Sequence, residues 1–113
     1  MRRGDVFQAR LNPTVGSEQA GQRPVIIVSR NAINAHSPVV IAVPVTGSEN
    51  CPKVYPSQVV LERGAGGLRK NSVALGEQVR AISKRLLLTH LGALDANDLK
   101  RLDTALKIAL DLP

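Results

Sequence analysis

Two short runs, PVIIVS at Pro24–Ser29 and VVIAVPV at Val39–Val45, decide the fold. Both are dense in β-branched residues, whose stiff side chains suit a pleated strand, and both are too short for an ordinary helix. Asn, Pro and Gly bound them. Neither alternates apolar with polar, so each reads as a central strand, either buried on both faces or paired inside a tight barrel. Upstream, DVFQARL (5–11) alternates imperfectly but has the composition of a first strand, closed by the turn signal NPTVG (12–16). Downstream, Gly, Ser, Asn and Pro mark 47–54 as a loop. YPSQVVL (55–61) then supplies a strand, with Pro56 near its start where a missing donor matters least. ERGAGGLRKN (62–71), with three glycines between Gly64 and Gly67, predicts a hairpin tip or mobile loop. SVALGEQVRAIS (72–83) predicts a strand pair or bent strand with Gly76 as a bulge.

The period changes toward the C-terminus. SKRLLLTHLGAL (83–94) predicts a short helix with Ser83 as N-cap and Gly92 just past its end, which would set His90 at a helix C-terminus. His36 falls in the turn-like NAHSP (34–38). Asp95 can cap a closing amphipathic helix in ANDLKRLDTALKIALDLP (96–113), where Leu99, Leu102, Leu106 and Ala109 or Leu110 recur at three- and four-residue spacing. Lys100, Arg101 and Lys107 lie outside that stripe. The expectation is a mainly β fold with a C-terminal α-helix: a small, strongly bent antiparallel sheet or barrel, short helices, and a terminal helix across one opening. With 113 residues and no linker-like stretch, 1–113 reads as a single domain.

Composition narrows the function. Fifteen Lys and Arg against nine Asp and Glu give a formal charge of +6, which suits either a polyanionic partner or a merely soluble basic protein. Only Phe7 and Tyr55 are aromatic, so a nucleic-acid site should rest on phosphate contacts and hydrogen bonds rather than on stacking. The sequence has no apolar stretch of transmembrane length and no signal-peptide core, so a cytoplasmic protein without a membrane partner is expected. Cys51 has no second cysteine to pair with, and His36 and His90 lack metal-ligand spacing, so neither a metal nor a cofactor is expected.

One seam stands out within GSEQAGQRPVIIVSRN (16–31). Arg23 sits where a polar, glycine-bounded loop meets the strand after Pro24, either as a solvated loop charge or as a group aimed at an anion. Fixed by the strand on one side, it would meet a loop between Gly16 and Gly21 able to close over a substrate.

The stretch RGDVFQARLNPTVGSEQAGQRPVIIVSRN (3–31) resembles the opening signature of the MazF/PemK family of toxin endoribonucleases: a basic-Gly-acidic strand, then Pro-Thr-x-Gly-x-Glu-Gln-x-Gly-x-Arg-Pro, then an apolar strand. The likeness continues through IAVPVTGSEN (41–50), with a threonine ending the third strand, and VALGEQVRAISKRLL (73–87), with an EQ-x-R-x-I pattern. It covers most of the chain to about Leu94. The resemblance implies an SH3-like barrel acting as a homodimer on single-stranded RNA without a metal, held inactive by an antitoxin with an acidic segment. By the same resemblance Arg23 is the catalytic arginine and Thr46 its partner hydroxyl. Glu18 is either the proton acceptor, a group orienting Arg23, or a solvated carboxylate, and the base is Glu18, a water or Arg23 itself. Gln19 and Ser17 in the loop, Lys53 in 47–54 and Arg80 are the expected RNA contacts, with an Arg80–Glu77 salt bridge the alternative for the last. Some family members carry a histidine before the Glu-Gln pair and an acidic residue three positions after the downstream arginine. This sequence has Ser17 and Ser83 there, so a mechanism through those groups does not carry over. Two other classes compete. A non-catalytic nucleic-acid-binding barrel would keep fold and charge, whereas a gyrase-binding CcdB-type toxin would end in a helix with a tryptophan, and this chain has none.

Overall fold

In the computed structural model, which describes residues 1–11 and 21–113, seven strands and two α-helices form among those residues. The strands are β1 (Asp5–Arg10), β2 (Gln22–Ile27), β3 (Val39–Gly47), β4 (Gln58–Leu61), β5 (Ser72–Leu75), β6 (Arg80–Ser83) and β7 (Leu87–Ala93). The helices are α1 (Asn31–His36) and α2 (Ala96–Leu110). The sheet runs β4-β5-β3-β2-β1-β7 with every pair antiparallel, and β6 also pairs β3.

Strand β3 is the spine. One edge takes β2, from Val25 opposite Pro44 to Ile27 opposite Ala42. The other edge is shared: β6 pairs Val39–Ala42 and β5 pairs Val45–Gly47. A single 3-10 turn at Gly76–Gln78 carries the chain from β5 to β6. The expected strand pair is therefore present, but Gly76 opens a turn rather than a bulge. Its N–H donates to the Ser57 carbonyl at 3.0 Å, and a Cβ there would lie 2.3 Å from that same oxygen, so only glycine allows the approach.

Val25–Ile27 and 42–45 are buried on two faces, whereas Val39 and Ile41 at the start of β3 are exposed, so that end of the strand alternates in burial although every residue is apolar. Ile26, Val43 and Val45 join Val6, Val59, Leu61, Ala74, Leu102 and Ala105 in the core beneath α2. Val25, Ile27, Val40 and Ala42 pack on the opposite side with Ala9, Leu11 and Ile82. Fully burying a side chain of this size contributes roughly 1.5–3 kcal/mol, so removing the opposite-face cluster would cost as much per residue as removing the principal one. Helix α2 closes the first core as its periodicity predicts: Asp95 accepts from the Asp98 N–H at 2.8 Å, and Leu102 and Ala105 are fully buried. Of the two alternatives at the end of the stripe, Ala109 is half-buried and Leu110 is 53% exposed. Arg3 ties this helix to the start of the chain, donating to the Val28 carbonyl at 2.9 Å and to Asp103 at 2.5 Å.

Two expectations are corrected, and a third is decided between its alternatives. The segment 83–94 is not a helix: Ser83 does cap, accepting from the Arg85 N–H at 3.2 Å, but the helical turn ends at Leu86 and β7 begins at Leu87. Pairing decides this, because β1 would otherwise present an open edge. Phe7 lies opposite His90 with ring centroids 5.0 Å apart, and His90 Nε2 is 3.6 Å from Asp5, so His90 is a strand residue. The turn-like segment around His36 is α1, whose start is fixed by a buried polar pair. Ser29 Oγ donates to Asn34 Oδ1, the Asn34 amide donates back to the Ser29 carbonyl at 2.8 Å, and Ser29 Oγ accepts from the Ile41 N–H at 3.1 Å. Finally, of the two alternatives for the glycine-rich segment 62–71 the hairpin tip is the one present, since it joins the antiparallel pair β4 and β5, and it is packed. Its 3-10 turn at Ala65–Gly67 lies against β7, where a Cβ on Gly67 (φ +80) would meet the Leu91 carbonyl at 2.0 Å. That contact brings the two ends of the curled sheet together.

Candidate functional site

The β2–β3 register places the two residues singled out at the strand ends. Val25 faces Pro44, and the same register carried two residues further sets Arg23 level with Thr46. Residues opposite one another on antiparallel strands share a face, and Arg23 and Thr46 both line the same two cavities. Past Thr46 the chain makes a 3-10 turn at Ser48–Asn50, which returns Asn50 to the strand it has just left. The Asn50 amide donates to Thr46 Oγ1 at 2.9 Å. The turn is fixed from behind, since the Ser48 N–H donates to the Asn71 carbonyl at 3.0 Å and Lys70 Nζ to Glu49 at 2.7 Å. Lys70 is the main reason the Glu49 carboxyl is held below its ordinary value, with the backbone N–H at Glu49 adding to the effect.

Two cavities, each of about 550 Å³, meet along Arg23, Thr46 and Asn50. The first runs past Lys53, Tyr55, Glu77 and Arg80; the second past Gln8, Gln22, Arg69, Lys70, Ser72 and Thr89. The three shared residues form a ridge, with cations on both sides. Among the described lining residues Glu77 is the only carboxylate, and it accepts from Ser57 Oγ at 3.1 Å and Gln58 Nε2 at 2.8 Å. Arg80 and Glu77 form no salt bridge, and Arg80 stands exposed on β6 opposite Ala42.

Of the residues expected from sequence, Arg23, Thr46, Lys53 and Arg80 converge on the first cavity. Ser17, Glu18 and Gln19 lie outside the described residues, as does Gly16. Gly21, expected as an end of that loop, is buried, and its carbonyl accepts from the Leu11 N–H at 2.6 Å, prolonging the β1–β2 ladder. Sequence reasoning missed Asn50 and Tyr55 as site residues. Tyr55 is 52% exposed at the first cavity with Lys53 Nζ 5.4 Å from its ring centroid, so one aromatic face does stand beside the cations. No group of three His, Cys, Asp or Glu side chains suited to a metal ion occurs among the described residues, and no helix there is long and apolar enough to cross a membrane.

Fold and site together define a class: a small curled β-barrel closed by a helix, with an arginine and a threonine from neighbouring strands where two basic clefts meet. The chain belongs to the family of PemK-like, MazF-like toxins of type II toxin-antitoxin systems, whose model matches residues 2–110. It is 43% identical over 117 residues to the endoribonuclease MazF9 of Mycobacterium tuberculosis, covering 99% of this chain and 98% of that protein. It is 42% identical over 112 residues to the endoribonuclease MazF of Staphylococcus saprophyticus, covering 99% and 92%. Among solved structures, an endoribonuclease in complex with its cognate antitoxin from a mycobacterial species superposes with a TM-score of 0.81 at 27% identity, covering 100% of this chain and 97% of that one. MazF of Deinococcus radiodurans superposes with a TM-score of 0.79 at 26% identity, covering 99% and 97%.

Proposed function

We propose that this toxin is an endoribonuclease, an mRNA interferase, that cleaves single-stranded RNA at short sequences on the ridge formed by Arg23 and Thr46. The observation that carries the reading is that Arg23 and Thr46, from neighbouring strands, both line the two basic clefts where these meet. A strand crossing that ridge would lay one phosphate on Arg23 and extend its neighbours toward Lys53 and Arg80 on one side and Arg69 and Lys70 on the other.

RNA carries its own nucleophile. The 2′-oxygen attacks the adjacent phosphorus, the P–O5′ bond breaks, and a 2′,3′-cyclic phosphate and a 5′-hydroxyl result. One proton leaves the 2′-hydroxyl and one reaches the departing 5′-oxygen, so the protein has to stabilise charge and relay protons. The planar Arg23 guanidinium forks onto two phosphate oxygens and keeps its charge, and Thr46 donates a further hydrogen bond to the same group. Arg23 is also the proposed proton donor to the departing 5′-oxygen, holding its charge until the P–O5′ bond breaks and then regaining the proton from water. Glu18, five residues before Arg23 in sequence, is the proposed acceptor of the 2′-proton, and Ser17 and Gln19 are proposed RNA contacts. No step calls for a metal.

The partners follow from the same charges. An antitoxin with an acidic segment, lying along the clefts, would compete with RNA for Arg23. The active form is proposed to be a homodimer acting in the cytoplasm, where its RNA is found.

The test is cleavage of a long unstructured RNA in excess EDTA by the purified protein and by Arg23→Ala, beside a matched DNA strand, with product ends identified by mass. Cleavage of RNA alone, ending in cyclic phosphate and reduced by about a hundredfold or more in the variant, is expected. An Arg23→Ala protein that cleaves as well as the parent would overturn the site. RNA binding with no cleavage by either protein would make this a binding barrel.

A further inference from the structure

We infer that Asn50 is a positioning residue for this cleavage, setting the direction in which the Thr46 hydroxyl donates. The inference rests on the proposed reaction at Arg23 and Thr46, and it adds a residue that neither composition nor motif singles out.

A threonine hydroxyl has one proton and two acceptor sites, and its rotor turns to suit its neighbours. At Thr46 the neighbour is a donor: the Asn50 side-chain amide points an N–H at Oγ1 across 2.9 Å. Because Oγ1 accepts there, its own proton is directed away from Asn50. Both residues line both cavities, so that proton is left for a group lying on the ridge beside Arg23. Phosphate oxygens that gain charge in the transition state are such a group, and a donor already aimed at them needs no reorganisation. Without Asn50 the hydroxyl can rotate and donate to water or to a nearby backbone carbonyl.

Asn50 is well placed to hold this polarity. Its turn is closed by the Cys51 N–H on the Ser48 carbonyl at 3.0 Å, tied to Asn71 through Ser48, and anchored to Lys70 through Glu49. An amide also stays uncharged at every working pH. A carboxylate in its place could only accept, and would draw the Thr46 proton back toward position 50.

The experiment compares kcat and KM for RNA cleavage in Asn50→Ala, Asn50→Asp, Thr46→Val and the double variant Asn50→Ala/Thr46→Val, each checked by thermal melting and followed long enough to measure slow turnover. Asn50 is exposed, so the core is left intact in all of its variants. Thr46→Val should lower kcat about a hundredfold, and Asn50→Ala about tenfold at nearly constant KM. Asn50→Asp should lose at least as much. The double variant should match Thr46→Val, because an acting-through residue has no effect once its target is gone. Losses that multiply in the double variant, or an Asn50→Ala effect confined to KM, would make Asn50 an RNA contact in its own right and overturn the inference. Unchanged activity in Asn50→Ala beside a crippled Thr46→Val would overturn it too, leaving the site reading intact. Full activity in Thr46→Val would overturn the site reading itself.

Discussion

Lys70 serves two features at once, since its ammonium lines the second cavity while neutralising Glu49 behind the Asn50 turn. The pair has a defined pH signature. Because the Glu49 carboxyl is lowered in the folded chain, its stabilising effect is complete above the ordinary carboxylate value of 4.5 and is lost as pH falls through the folded value. Lys70→Met should move the Glu49 titration back up toward 4.5 with an NMR-detected midpoint, and high salt should shift the parent the same way. A midpoint indifferent to both would show that Lys70 does not hold the turn. At this scale the site was partly legible. Arg23 and Thr46 could be found because the motif carries them at fixed separations from Pro24 and from the third strand. Asn50 and Tyr55 could not, since they reach the cavities only when the 47–58 connection folds back, and no spacing in the chain encodes that return.

Elements that depend on their own residues were readable, and elements that depend on a partner were not. The runs at 24–29 and 39–45 carry a strand signal in their own β-branched residues, realised in β2 as far as Ile27 and in β3, and Asp95 caps α2 through a contact three residues away. By contrast, RLLLTHL is rich in good helix formers and follows a capping serine, yet it extends because β1 offers it an edge. Helix α1 is less than two turns long, too short for a periodic stripe, and the buried Ser29–Asn34 pair holds it. Gly76 looked like a bulge because only the structure shows that Ser57 comes within reach. Gly76→Ala should cost about 2–3 kcal/mol by forcing that carbonyl away and breaking its hydrogen bond. Thermal melting would register a fall of roughly 10 °C or more. A variant that melts with the parent would show that the β5–β6 turn yields without cost.

For the molecule as a whole, the formal charge of +6 is gathered in part at the ridge, where Arg23, Lys53, Arg80, Arg69 and Lys70 line the two cavities. Each phosphate neutralised adds roughly 0.7 to the slope of log affinity against log salt, so engagement of three to five cations gives a slope between about 2 and 3.5 per protomer. Lys53→Met should reduce the measured slope by roughly 0.7, whereas an unchanged slope would place the strand away from the first cavity.

The order in which the parts arrive along the chain has its own consequence. Every described residue that lines either cavity precedes Gly92, whereas Leu102 and Ala105, which close the core beneath the sheet, and Asp103, which clamps Arg3, come afterwards. A ribosome that has reached Leu94 has therefore already made the described ridge in full, yet none of the helix that holds the barrel shut. The sheet that carries both clefts waits for the final helix to be released before its core can close.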